Sequence, residues 1–297
     1  MKKILVAVLA LLLVLSFAAC SSNIASPVTS VITEPDVSDD TQNTEPEETD
    51  AIEESDLSWQ AVEDKGSFVL GFDETFAPMG FKDENGVHVG FDIELAKEVA
   101  ARLNIEVVLQ PVDWDAKVME LNNGNIDMIW NGLTITEERK QEMLFSDPYM
   151  NNRQMIVVLA DSGIATKADL EGKTVAAQID SSAMAAIEAE PDVMDTFGEL
   201  IQSPDYVEAL MELKQGSVDA VVIDETMGRY YIGADDNPDI FAILKDSFGE
   251  EQYGIGFRKG DTALRNKIQE ALDSIIADGT AAEISAKWFA DNVLISD

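Results

Sequence analysis

Cysteine is nearly absent. Cys20 is the only one in 297 residues, so no intramolecular disulfide can form and packing alone must hold the fold. Histidine is equally scarce: His88 stands alone, with no His/Asp/Glu cluster at ligand spacing, so neither a metal nor any other cofactor is expected. Basic residues are few, 20 Lys plus Arg against 57 Asp plus Glu, and the formal charge of −37 argues against nucleic acid as a partner. A run long enough to span a bilayer comfortably is also missing. The opening stretch "MKKILVAVLALLLVLSFAAC" has two lysines, a short apolar run and small residues, the pattern of an export signal over residues 1–19.

A lone thiol at such a junction resembles the lipid acceptor of a bacterial lipoprotein, which would anchor the chain to the outer face of the cell membrane through Cys20. Phe17 stands where these junctions usually carry Leu, and cleavage near Ala19 by an ordinary signal peptidase is the alternative. Residues 21–56 hold eleven Asp or Glu and no Lys or Arg, a composition that cannot bury a core. With Cys20 they read as a disordered tether, residues 20–56, reaching roughly 33 Å or more. Losing Lys2 and Lys3 with the leader makes the mature chain two charges more negative still.

The remainder, 57–297, exceeds the usual single-domain size and predicts two lobes. Short β-branched runs ("SFVLGF", "IEVVLQPV", "IDMIW") alternate with helical patterns such as "FDIELAKEVAARLN", which predicts α/β architecture with parallel sheets flanked by helices. The segment "VDWDAKVMELNNGNIDMIWNG" at 112–132 aligns without gaps on "PDYVEALMELKQGSVDAVVID" at 204–224, so one helix–turn–strand unit is used twice. In each copy an aromatic (Trp114, Tyr206) opens the helix and a glycine (Gly124, Gly216) ends it. The strand then runs out into Asn131 and Gly132 in one copy, Asp224 and Glu225 in the other. Ligands of open α/β sheets bind at such strand ends.

Within "NGLTITEERK", Thr136 reads as an N-cap and Arg139 falls in the first helical turn, where the macrodipole disfavours a cation. Two readings are open. Arg139 pairs with Glu138 or another surface acid, or it belongs to an anion site to which Asn131, Gly132 and Thr134 add small polar groups. If the lobes face each other, Arg139 and Asp224 could meet across a cleft and hold the carboxylate and ammonium of an amino acid.

From about Ser67 to Val293 the chain resembles the periplasmic-type solute-binding proteins of ABC importers, in the subgroup for polar amino acids. The motifs are "GFDETFAPMGF", "VGFDIELAKEVAARL", "DWDAKVMELNNGNIDMIWNGLTITEERKQEMLFSDPY", "GKTVAAQIDSS", "GSVDAVVIDE" and "GIGFRKGDTALRNKIQEAL". The resemblance implies a type II two-lobe fold, each lobe a mostly parallel sheet flanked by helices. Two hinge crossovers, near 151–154 and 248–253, would divide lobe 1 (57–153 and 250–297) from lobe 2 (154–249). It also implies delivery of a free amino acid to a membrane permease by cleft closure, carried out by a monomer that is not an enzyme.

By the same resemblance Arg139 takes the ligand α-carboxylate, with donors at Thr134, Ser181 and Ser182, and Asp224 holds the α-ammonium. Phe76 and Trp114 would sandwich the ligand side chain, and Asp73 and Gln178 would contact it. Each has a plainer role available: an N-cap for Ser182 and Asp224, core packing for the aromatics, turn chemistry for Asp73. Asn131 stands where binders of basic amino acids carry Ser. Neutral Gln178 and acidic Asp73 argue against aspartate or glutamate and leave basic and neutral polar amino acids open. His88 reads as a hairpin surface residue without a role. Two other classes are a free-standing amino acid sensor and a dehydratase-like enzyme on the same fold. The latter would have to find an acid or base among Asp73, Glu225 and His88.

Overall fold

A computed structural model describes residues 56–295. The expected signal peptide, Cys20 and the tether up to residue 55 lie outside the described residues.

Two five-stranded sheets organise the fold. In the first, the order is Glu106–Pro111, Ser67–Phe72, Met128–Ile129, Gly256–Arg258, Met143–Phe145; in the second it is Glu199–Ser203, Thr174–Gln178, Ala220–Asp224, Met150–Leu159, Phe241–Tyr253. Each begins with three parallel strands and continues through two antiparallel pairings, so the fourth strand runs against the other four. The internal repeat is visible in this order. Its strands, Met128–Ile129 and Ala220–Asp224, are the middle strand of each sheet, and every residue of both is buried, as a strand covered on both faces requires. Gly216 closes the second helix in the left-handed conformation at φ 73°, and Gly124 follows the first at φ 76°.

The helix Phe91–Leu103 shows how pattern becomes position. Phe91, Leu95 and Val99 recur on one face and are buried, while Asp92 and Glu94 lie in the first turn and Arg102 in the last, each sign at the favoured end.

Two long strands, Met150–Leu159 and Phe241–Tyr253, pair antiparallel and pass from one sheet to the other. Near the first sheet Met150 pairs with Tyr253; deep in the second, Val157 pairs with Ile243. Their register shifts between Ile243 and Glu250, where Gly249 takes φ 113°. These strands are the crossovers. A third, three-stranded sheet of Thr75–Phe76, Gly80–Lys82 and His88–Val89 lies beside the first. His88 does lie in a hairpin, paired with Lys82, but its ring is half-buried rather than on the surface: it meets Phe72 edge-on at 5.1 Å and sits 3.0 Å from a Glu74 carboxylate oxygen.

Candidate functional site at the cleft between the lobes

On the first lobe the site grows from the end of the middle strand. Asn131 is buried, and its Oδ1 accepts the Asp73 N–H at 3.1 Å, tying two strand ends together. Gly132 takes φ 58°, and a Cβ there would lie 2.8 Å from the Phe76 ring. Its N–H donates to Asp92 Oδ2 at 2.7 Å, while the Tyr149 hydroxyl lies 2.9 Å from both oxygens of the same carboxyl. Burial pushes the Asp92 carboxyl up to about 7 against those hydrogen bonds.

Thr136 Oγ1 accepts the Arg139 N–H at 3.1 Å, the capping contact expected, although the regular helix is the short Arg139–Glu142. The Arg139 side chain turns inward and is 9% exposed, which overturns the surface-pair reading. Its guanidinium donates to the carbonyl oxygens of Thr134 (3.1 Å) and Asp180 (3.2 Å), neither of them a carboxylate. Burial lowers its pKa, opposed by the nearby charges of Asp180, Glu251 and Asp224.

From the second lobe, the strand Thr174–Gln178 ends in Asp180 at φ 54° and the helix Ser182–Glu188. Ser181, not Ser182, is the cap: its hydroxyl accepts from Met184 N–H at 3.3 Å. That leaves the Ser182 hydroxyl free to sit 3.0 Å from Thr134 Oγ1 across the cleft. Gln178 Nε2 donates to Asp73 Oδ2 at 2.8 Å, and Asp73 Oδ1 accepts from the Thr75 N–H and hydroxyl. Burial raises the Asp73 carboxyl in spite of these bonds. Asp224, 3% exposed, makes no capping bond to its helix; its Oδ1 accepts from the Tyr253 hydroxyl (2.7 Å) and from Asn152 Nδ2 (2.8 Å). Phe76 packs at 6.3 Å against Tyr206, the repeat partner of Trp114. Trp114 packs with Leu121, Ile126 and Leu133 on one side and borders an acidic groove of about 680 Å³, shared with Asp73 and Asp205, on the other.

Strand ends from two sheets thus bring a buried cation, a buried acid, three hydroxyls and two aromatic rings to one cleft. Residues 68–291 match the family described as bacterial extracellular solute-binding proteins, family 3. The chain belongs to that family. It is 28% identical over 234 residues to the L-cystine-binding protein TcyJ of Escherichia coli strain K12, covering 78% of this chain and 86% of the relative. It is 30% identical over 226 residues to the arginine-binding extracellular protein ArtP of Bacillus subtilis strain 168, covering 76% and 87%. The solved structure of an ABC uptake transporter substrate-binding protein from Streptococcus pneumoniae with bound histidine superposes with a TM-score of 0.79 at 40% identity. That match covers 82% of this chain and 99% of the other.

Several cleft residues of this solute-binding protein escape sequence reasoning. Lys117, 1% exposed, donates to Trp114 O (2.9 Å) and Asp180 O (3.1 Å) and pairs with the Asp180 carboxylate across the lobes. Burial lowers its amine to about 8. Asn152 and Gln154 lie buried on the first crossover, and Glu251 and Tyr253 are on the second. The stretch "MNNRQMIVV" carried a signal: at strand period Asn152 and Gln154 share a face with Met150, and amides on a core face need partners. Among the described residues no group of three or more His, Cys, Asp or Glu could hold a metal ion, and no helix is long and apolar enough to cross a membrane.

Proposed function

We propose that the protein captures a polar amino acid, basic or neutral, outside the cytoplasm and delivers it to an ABC importer in the membrane. Arg139 takes the α-carboxylate with its remaining N–H donors, helped by Thr134, Ser181 and Ser182, and Asp224 meets the α-ammonium. Phe76 and Trp114 flank the side chain, whose far end reaches Asp73, Gln178 and Asn131. Lobe 1 comprises 57–153 and 250–297 and lobe 2 comprises 154–249; they close about the two crossover strands. Cys20 carries the lipid that tethers the fold, as a monomer, beside its permease.

One observation carries this reading. Among the described residues no carboxylate is in hydrogen-bond contact with the buried Arg139 guanidinium, and only the more distant charges of Asp180, Glu251 and Asp224 pull on it. An unpaired buried cation is costly, and an α-carboxylate supplies what it lacks. The relatives support the ligand class: one binds cystine by name, one arginine, and one holds histidine, all sharing the α-amino acid head group while differing in side chain. A thermal-shift screen of the twenty amino acids and cystine tests it. At a hundred times its Kd a ligand should add about 2.7 kcal/mol of stability; no shift with any of them would remove the proposal.

A further inference from the structure

Glu251 lies on the second crossover strand, register partner of Asn152, while Asp224 ends the neighbouring strand as register partner of Gln154. The amide of Asn152 stands between the two acids: its Nδ2 is 2.8 Å from Asp224 Oδ1 and 2.6 Å from Glu251 Oε1. Those oxygens can therefore be no farther apart than the sum of the two distances. Glu251 Oε1 also accepts from the Thr134 hydroxyl (2.9 Å) and from Gln154 Nε2 (2.9 Å). It is thereby bound to both lobes of the cleft.

A second observation concerns the acceptors left over. Gln154 is 1% exposed and spends its Nε2 on Ser182 and Glu251, yet its Oε1 has no hydrogen-bond partner among the described residues. A buried acceptor in that position calls for a donor that also satisfies carboxylates, and an ammonium group has three N–H bonds to offer.

We propose that Glu251 completes the ammonium end of the amino-acid site, forming with Asp224 a carboxylate pair that holds one proton when the cleft is empty and releases it as the ligand's ammonium enters. The inference rests on the reading of the cleft given above. Glu251 is half-buried and Asp224 buried, and two carboxylates this close disfavour ionising together unless a cation lies between them. The exchange balances: one proton leaves the pair for solvent, one ammonium takes its place, and the pair with its counter-cation keeps the same charge. Asp224 behaves accordingly, since burial first and the charge of Glu251 second push its carboxyl well above the ordinary range.

Among the described residues the nearby cation is Arg139, whose guanidinium donates to the Thr134 and Asp180 carbonyl oxygens and makes no ion pair with either acid, although their charges reach it. Tyr206 and Tyr253 are phenols that burial keeps neutral, and Asp180, also within range of Arg139, is paired with Lys117. Behind the crossovers, Arg153 is paired with Glu225, and Lys140 and Glu250 border the same groove of about 770 Å³ as Glu251.

Titration calorimetry on the full chain, with L-arginine and L-glutamine in phosphate and in Tris at matched pH, counts the protons. We expect close to one released per ligand bound where the empty pair is protonated, and a Kd that falls about tenfold for each unit by which the pH rises there. Glu251→Gln should release far fewer and flatten that slope. Binding with heats independent of buffer and a flat pH profile in the unmodified protein would overturn the inference and leave the cleft reading intact, and neither arm needs a variant to fold. Equal proton release in a folded Glu251→Gln would overturn it too. No binding of any amino acid in the screen would remove the cleft reading and this inference with it.

Discussion

Asp92 shows what burial does to one carboxyl. Both oxygens accept hydrogen bonds, from Gly132 and Tyr149, yet its pKa rises to about 7 because no water reaches it. A carboxyl raised in the folded state binds its proton more tightly than in the unfolded chain. The resulting stability is full below about pH 4 and is lost as pH rises through about 7. Asp92→Asn cannot titrate, so between pH 5 and 8 the unmodified protein should lose roughly 2–3 kcal/mol relative to that variant, read from denaturant midpoints. Parallel profiles would mean that Asp92 is ionised throughout. At this scale legibility was uneven. Arg139 betrayed itself by sitting in a helix's first turn, against the macrodipole. Glu251 could not, because its partner Thr134 is 117 residues away in the chain and nothing near Glu251 announces that contact.

At the scale of elements, the repeat makes the central strands and their polar ends legible in the sequence, and each is the middle strand of its sheet. The expectation of parallel sheets covered only three strands of each, since the fourth and fifth come from segments whose alternation says strand but not direction. Which serine caps a helix was equally beyond a sequence argument, because Ser181 and Ser182 are adjacent and a single residue of register decides it. The turn at Gly132 is a test of the element itself. Its left-handed φ and the 2.8 Å approach of the Phe76 ring leave no room for a methyl group. Gly132→Ala should cost about 1–3 kcal/mol of stability and displace the Phe76 ring, seen as a lower melting temperature and weakened ligand binding. Unchanged stability would show that the turn is not tightly held.

For the molecule as a whole, function lies in how the lobes meet. Arg139 and Lys117 from the first lobe both hold Asp180 of the second, Gln178 reaches back to Asp73, and the Tyr231 hydroxyl donates to Thr75 O at 2.6 Å. Arg139 therefore has two tasks in the proposed cycle: it receives the ligand carboxylate and links that event to contact between the lobes. Lysine keeps the charge but has neither the planar fork nor enough donors for both. Calorimetric titration of Arg139→Lys beside the unmodified protein, with the amino acid that the thermal screen selects, is the most direct measurement. The account predicts affinity weaker by about 1.5–3 kcal/mol, on the order of ten- to a hundred-fold in Kd, whatever the ligand's side chain. An unaltered Kd would contradict it, because the head group would then be held by something other than Arg139.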